Sequence, residues 1–172
     1  MWVQVQTPPV SRPIWAVNWS EPDRLLVLGG GGLVELTLAP AVRLRTMASV
    51  EDLRRVFDPN RDCWLVWEGR RYLVNGPNGG GYKVCHPNGD RLILHPYEDD
   101  CLAVSDVDGE VVRQVLGRFV VSGDRWSHAD FTDDYRYIVA FDSDGLRVFR
   151  HEPEAEPSAA ADPARGVASP DP

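Results

Sequence analysis

Glycines set in tight polar turns recur at positions 32, 69, 109 and 145, at separations of 37, 40 and 36 residues, each between short apolar runs. Glycine reaches positive φ without steric cost, so such a turn lets a chain reverse within two or three residues and pair the runs on either side. The clearest copy is SHADFTDDYRYIVAFDSDGLRVF, residues 127 to 149. It reads as a strand from Ala129 to Phe131, a polar turn at Thr132-Asp133-Asp134, and a second strand from Tyr137 to Phe141. A turn at Asp142-Ser143-Asp144-Gly145 then leads to a third strand, Leu146 to Phe149. An earlier stretch aligns with it: Trp19 falls on Phe131, Arg24 on Arg136, and Leu25 to Leu28 on Tyr137 to Ala140. After one extra residue in the later copy, Gly32 falls on Gly145 and Leu33 to Leu36 on Leu146 to Phe149.

A repeat of this length, built of about four short strands, has the period of a β-propeller blade. The other two copies are Cys63 to Val74, around Gly69, and Tyr82 to Leu116, around Gly109. One segment departs from the strand theme. Ser49 with Asp52 three residues on is a capping pattern, and Val50, Leu53, Val56 and Phe57 share one helical face before Asp58-Pro59-Asn60 ends the run. At the N-terminus, Val3 and Val5 alternate with Trp2, Gln4 and Gln6 as in a half-buried strand. That strand has no place in the first unit, whereas the last unit stops after three strands. The N-terminal strand is therefore expected to supply the fourth strand of the last unit and cover its edge.

The stretch DFTDDYRYIVAFDSDGLRVF resembles a blade of WD-repeat or related bacterial β-propeller proteins: inner strand, polar turn, second strand, Asp-containing hairpin, third strand. The terminal Trp-Asp of that family is replaced here by Phe149-Arg150, and Ser127-His128 stands where the family has Gly-His. The resemblance implies an all-β fold of four propeller-blade-like antiparallel units over residues 1–151, to which the capping pattern at Ser49 adds one short helix as a departure from the family. Either a small ring or a half-ring that forms a homodimer satisfies this count, and a compact sandwich of the same hairpins is the third arrangement. Residues 152–172, rich in Pro and Ala, are expected to form a disordered acidic tail.

Charge narrows the class of partner. The formal net charge is −8, about half of it in the tail, where Glu152, Glu154, Glu156, Asp162 and Asp171 oppose Arg165. Without a basic stripe the chain lacks the footprint of a phosphate-backbone binder, so no nucleic acid is expected. No apolar run nears the roughly 20 residues that cross a bilayer, so no membrane is expected. The opening MWVQVQTPPV has no secretory pattern, and Cys63, Cys85 and Cys101 show no CxxC spacing, so a cytoplasmic location with reduced thiols is expected.

The candidate sites are few. Six tryptophans include Trp64, Trp67 and Trp126, the expected partner-binding anchors. Three-residue spacing on a strand puts Trp64 and Trp67 on opposite faces, whereas Trp15 and Trp19, four apart, are expected to share one. Asp106 with Asp108, and Asp142 with Asp144, repeat a DxDG pattern similar to the alternating carboxylates of calcium loops, although turn chemistry alone explains Asp before Gly. Cys85, His86, His95 and Cys101 hold ligand-type or nucleophilic side chains within 17 residues, at spacings unlike a zinc site. The expected function is a non-enzymatic module that binds a protein partner through a rigid β scaffold, with no cofactor. The alternatives are an acidic inhibitor or immunity-type protein, and an enzyme with its site near those cysteines and histidines.

Overall fold

The computed structural model describes residues 1–76, 83–95, 101–118, 127–142 and 145–152; Trp126, Asp144 and the predicted tail beyond Glu152 lie outside them. The fold is all-β with one short helix. Its strands are β1 (Trp2–Val5), β2 (Ile14–Glu21), β3 (Arg24–Gly29), β4 (Gly32–Thr37) and β5 (Arg43–Ala48), followed by helix α1 (Val50–Val56). Then come β6 (Trp64–Trp67), β7 (Arg70–Leu73), β8 (Arg91–His95), β9 (Cys101–Ser105), β10 (Val112–Arg118), β11 (Ser127–Phe131), β12 (Tyr137–Asp142) and β13 (Gly145–His151). Among the described residues they make four antiparallel sheets, ordered β2-β3-β4-β5, β6-β7, β8-β9-β10 and β11-β12-β13-β1.

The first strand closes the last sheet as the sequence predicts. Trp2 lies opposite His151 and Val5 opposite Val148, so β13 gains a neighbour where it would otherwise present an open edge. The two aligned units also match at the backbone. Asp23 and Tyr135, which precede Arg24 and Arg136, both take positive φ (55° and 58°) in the turn between first and second strands. At the next turn Gly29 pairs with Gly32, and Asp142 with Gly145. Gly32 has φ +86°, and a Cβ there would sit 2.1 Å from the Ala48 carbonyl oxygen, so both conformation and space demand glycine. Gly145 differs, for its φ lies outside the left-handed region.

Sheet faces alternate between cores as the pleat dictates. On β12, Tyr137, Val139 and Phe141 enter one core with Val17, Trp19, Leu25, Val27 and Val148. Ile138 and Ala140 enter a second core with Trp2, Leu92, Leu102, Val104, Phe131 and Phe149. A third core holds Leu26, Leu28 and Leu33 against Leu53, Phe57, Leu65 and Tyr72. The first and last sheets therefore pack on each other, the last on the third, and the first on the β6–β7 hairpin with α1. Asp23 ties the first seam: its carboxylate accepts from the Tyr137 hydroxyl (2.5 Å) and from Arg136 Nη1 (2.8 Å). Burial first, and then Asp23 itself, push the Tyr137 phenol up to about 12.

Two expectations need correction. Trp15 and Trp19 do not share a face, because β2 is bulged: its register against β3 shifts between Ile14 and Ala16 and again after Asn18. The extra residue turns Trp15 towards the third core while Trp19 stays in the first. On α1, Ser49 caps the helix through Oγ to the Asp52 N–H (3.2 Å), and Leu53 and Phe57 are buried, but Val56 is exposed.

Candidate functional site

The β6–β7 hairpin is the smallest sheet, and its turn explains its geometry. Glu68 (φ 48°) and Gly69 (φ 74°) form a two-residue link with both residues at positive φ, the type I′ geometry that matches strand twist. Trp67 then faces Arg70, Val66 faces Arg71, Leu65 faces Tyr72 and Trp64 faces Leu73. One face buries Leu65 and Tyr72 in the third core, with Trp67 packed at its margin. The opposite face leaves Trp64 39% exposed, Val66 53% and Leu73 37%. Arg71 crosses diagonally from β7, and its guanidinium carbon lies 4.3 Å from the centroid of a Trp64 ring. Arg71 forms no ion pair among the described residues, whereas Arg70, in the turn-closing pair, reaches Glu21 of β2 at 2.7 Å. The hairpin is thus anchored on one side and presents an indole, two aliphatic side chains and one cation on the other.

The sequence-predicted opposition of Trp64 and Trp67 holds, with Trp64 the outer of the two. Val66, Arg71 and Leu73 were missed as parts of the same face. A signal for them existed: once Glu68-Gly69 is taken as a two-residue turn, register places Arg71 and Leu73 opposite Val66 and Trp64.

The Cys85, His86, His95, Cys101 region does not converge along its strand. Cys85 bridges to Arg91 at one end of β8, and Cys101 pairs with His95 at the other. Four residues of extended chain separate those levels by about 13 Å. His86 instead joins an aromatic cluster with Trp2, Phe131, Tyr135 and His151, at centroid distances of 5.8, 5.2, 5.4 and 6.1 Å. Beside it lies a cavity of about 620 Å³ lined by Trp2, Asp90, Arg113, Gln114 and His151 among others. Asp90 there is buried, which works against its charge. Donors from Asn88 Nδ2 (3.0 Å), Trp2 Nε1 (3.3 Å) and Arg113 Nη1 (2.9 Å) outweigh that and hold its carboxyl below the usual range. With its lone pairs so occupied, Asp90 serves to fasten β1 to the third sheet. Gln114 does the same through its amide, accepting from the Trp2 N–H (2.8 Å) and donating to the Trp2 carbonyl (2.5 Å), much as a neighbouring strand would.

On β11, His128 and Asp130 are both buried. His128 stacks on Phe141 at 5.4 Å, and burial holds its imidazole below the usual histidine range. Asp130 Oδ1 accepts from the Lys83 backbone N–H (3.1 Å), while Oδ2 has no hydrogen-bond partner among the described residues. Burial pushes the Asp130 carboxyl up to about 7. Of the DxDG aspartates, Asp106 Oδ1 accepts from the amides of Glu110 (2.9 Å) and Val111 (3.2 Å), which is turn chemistry. Asp108 occupies the same turn, and Asp142 closes the β12–β13 turn in another sheet. Among the described residues no three His, Cys, Asp or Glu side chains cluster as metal ligands would. No helix among them is long and apolar enough to cross a membrane. In comparisons with protein families, curated proteins and solved structures, nothing matches this chain.

Proposed function

We propose that this chain is a non-enzymatic protein-interaction module on a propeller-like scaffold of four units, and that the outer face of β6–β7 is its contact surface. The observation that carries the reading is the set of Trp64, Val66 and Leu73 side chains held exposed on a rigid hairpin, with Arg71 laid over the indole. Trp and Arg are the side chains that most often anchor protein interfaces, and a desolvated Trp–Arg pair gains strength when a partner excludes water. The propeller-like reading is supported by the first and last units sharing a core and by β1 completing the last sheet. Hairpin faces of this kind carry function because the scaffold fixes them without needing them for its own packing.

The test compares wild type with the triple variant Trp64→Ser/Val66→Ser/Leu73→Ser as baits in extract of the native cell. A protein retained by wild type and lost by a variant of unchanged circular dichroism is expected. Equal retention by both, or retention by neither, would remove this face from consideration.

A further inference from the structure

The hairpin's hydrogen-bond parity points to how a partner is held. A two-residue turn makes Trp67 and Arg70 a hydrogen-bonded pair, so pairs alternate from there. Leu65 and Tyr72 are bonded, as are Cys63 and Val74, where the Val74 N–H meets the Cys63 carbonyl at 3.0 Å. Trp64, Val66, Arg71 and Leu73 lie in the other class, and their backbone groups point away from the hairpin. On β7 the outward Leu73 carbonyl is taken by Asn18 Nδ2 (2.7 Å), which joins that edge to β2. On β6 the outward N–H and C=O groups of Trp64 and Val66 have no partner among the described residues. Two of the three residues whose side chains make the apolar face, Trp64 and Val66, are therefore the two whose backbones form the open edge.

We infer, on the reading that this face is a contact surface, that β6 accepts an extended, acidic segment of a protein partner as an added strand. Alternate residues of that segment lie beside Trp64 and Val66, and its backbone meets theirs. The charge follows from Arg71. Although Arg71 belongs to β7, its guanidinium lies over the Trp64 indole on β6, one strand spacing (about 4.8 Å) from an added strand. Among the described residues it is a cation without a carboxylate, so an Asp or Glu on the same face of the added strand completes it. A second copy paired through β6 with Trp64 opposite Val66 would set apolar side chains against one another, whereas a strand carrying an Asp or Glu there also meets Arg71.

The experiment pans a displayed library of random twelve-residue peptides against the full chain and measures binding of the selected synthetic peptides. Peptides that carry apolar residues and an Asp or Glu at alternate positions, and so on one strand face, are expected. Val66→Pro removes an outward N–H that the hairpin does not use and should weaken binding about tenfold, with an unchanged melt. Methylating alternate peptide amides should do the same to wild type. Arg71→Glu should reject the acidic peptides by about tenfold and accept their Lys-substituted versions. Peptides that need Trp64 yet bind Val66→Pro and the methylated series normally would leave the face standing and overturn strand addition. Peptides indifferent to Trp64→Ser would overturn the face itself. A concentration-dependent dimer, seen by sedimentation and lost in Val66→Pro, would overturn the acidic partner in favour of self-pairing.

Discussion

The last sheet and the β6–β7 hairpin are built from the same material and used in opposite ways. Both have a tight turn, β-branched and aromatic residues, and antiparallel register. In the last sheet β12 is covered on both faces, by Val17, Trp19 and Leu25 on one and by Leu92, Leu102 and Val104 on the other. Its edge is covered too, since β1 lies along β13 and Gln114 bonds the Trp2 backbone beyond it. The hairpin buries Leu65 and Tyr72 but leaves its other face open, with the outward backbone of Trp64 and Val66 unpaired among the described residues. Where every face and edge is satisfied, side chains serve stability. Where one face and one edge are left over together, they are available to something else.

That contrast breaks first if the last sheet does not depend on β1. Removing residues 1–7 takes away Trp2, its place in the second core, and the only cover of the β13 edge among the described residues. Loss of a buried Trp alone costs about 3–5 kcal/mol, and a domain of this size loses roughly 2–4 °C per kcal/mol. The truncated chain is expected to melt at least about 10 °C lower, or to be recovered only as aggregate. A melt within about 2 °C of the full chain would mean that the edge needs no cover.

The role of β1 was legible because alternation at Trp2 to Gln6 and a missing strand after His151 are both visible as patterns. Other parts were not. β5 (RLRTMA) has exposed Arg43, Leu44, Arg45 and Thr46, and only its last residues pack, so an outer strand left no alternating signature. The bulges in β2 shift a period-2 reading by a residue, which sent Trp15 to the wrong face. Asp130 is a third case. The sequence puts it in the strand Ala129 to Phe131 without saying which face it takes, and only the fold makes it a carboxyl buried on the inside of a sheet. The hairpin lay between these extremes. Its strands and turn were readable, and parity then gave the composition of each face, but whether a face is covered depends on neighbours that sequence does not name.

Asp130 sharpens the comparison from the stable side, for even a well-covered sheet can hold a destabilising group. Its carboxyl is pushed up to about 7 by burial, against the backbone N–H of Lys83 and the field of the Lys83 ammonium, which pairs with Asp133 at 2.6 Å. His128, two residues back on the same strand, has its own charge disfavoured by burial. Folding thus favours the protonated acid. The native state holds a proton that the unfolded chain releases between about pH 4 and 7, so this group's contribution falls as pH rises through that window and is flat above it. Asp130→Asn keeps an acceptor for Lys83 and removes the titration. Relative to wild type, the variant should gain on the order of 2–4 kcal/mol at pH 8, shrinking towards zero at pH 4, by urea denaturation at each pH. A difference that does not change with pH would show that burial does not govern this carboxyl.

The smallest expected effect is the most telling for the hairpin. Trp64→Ala removes an indole that packs against no core and whose contact with Arg71 is worth roughly 0.5–1 kcal/mol at an exposed site. The unbound chain should lose no more than about 1 kcal/mol. Phe141→Ala, an aromatic truncation in the fully covered sheet, should cost about 3–5 kcal/mol in the same denaturation experiment. The ratio matters more than either value, because both variants delete an aromatic ring from a strand and differ only in what surrounds it. If Trp64→Ala cost as much as Phe141→Ala, the outer face of β6–β7 would be packed in solution by another part of the chain. Trp64 would then be a core residue, with no reason to be an anchor. If it costs little, the stability of the scaffold and the chemistry of its open face are separable, and Trp64, Val66 and Arg71 can be changed to probe binding without disturbing what holds them.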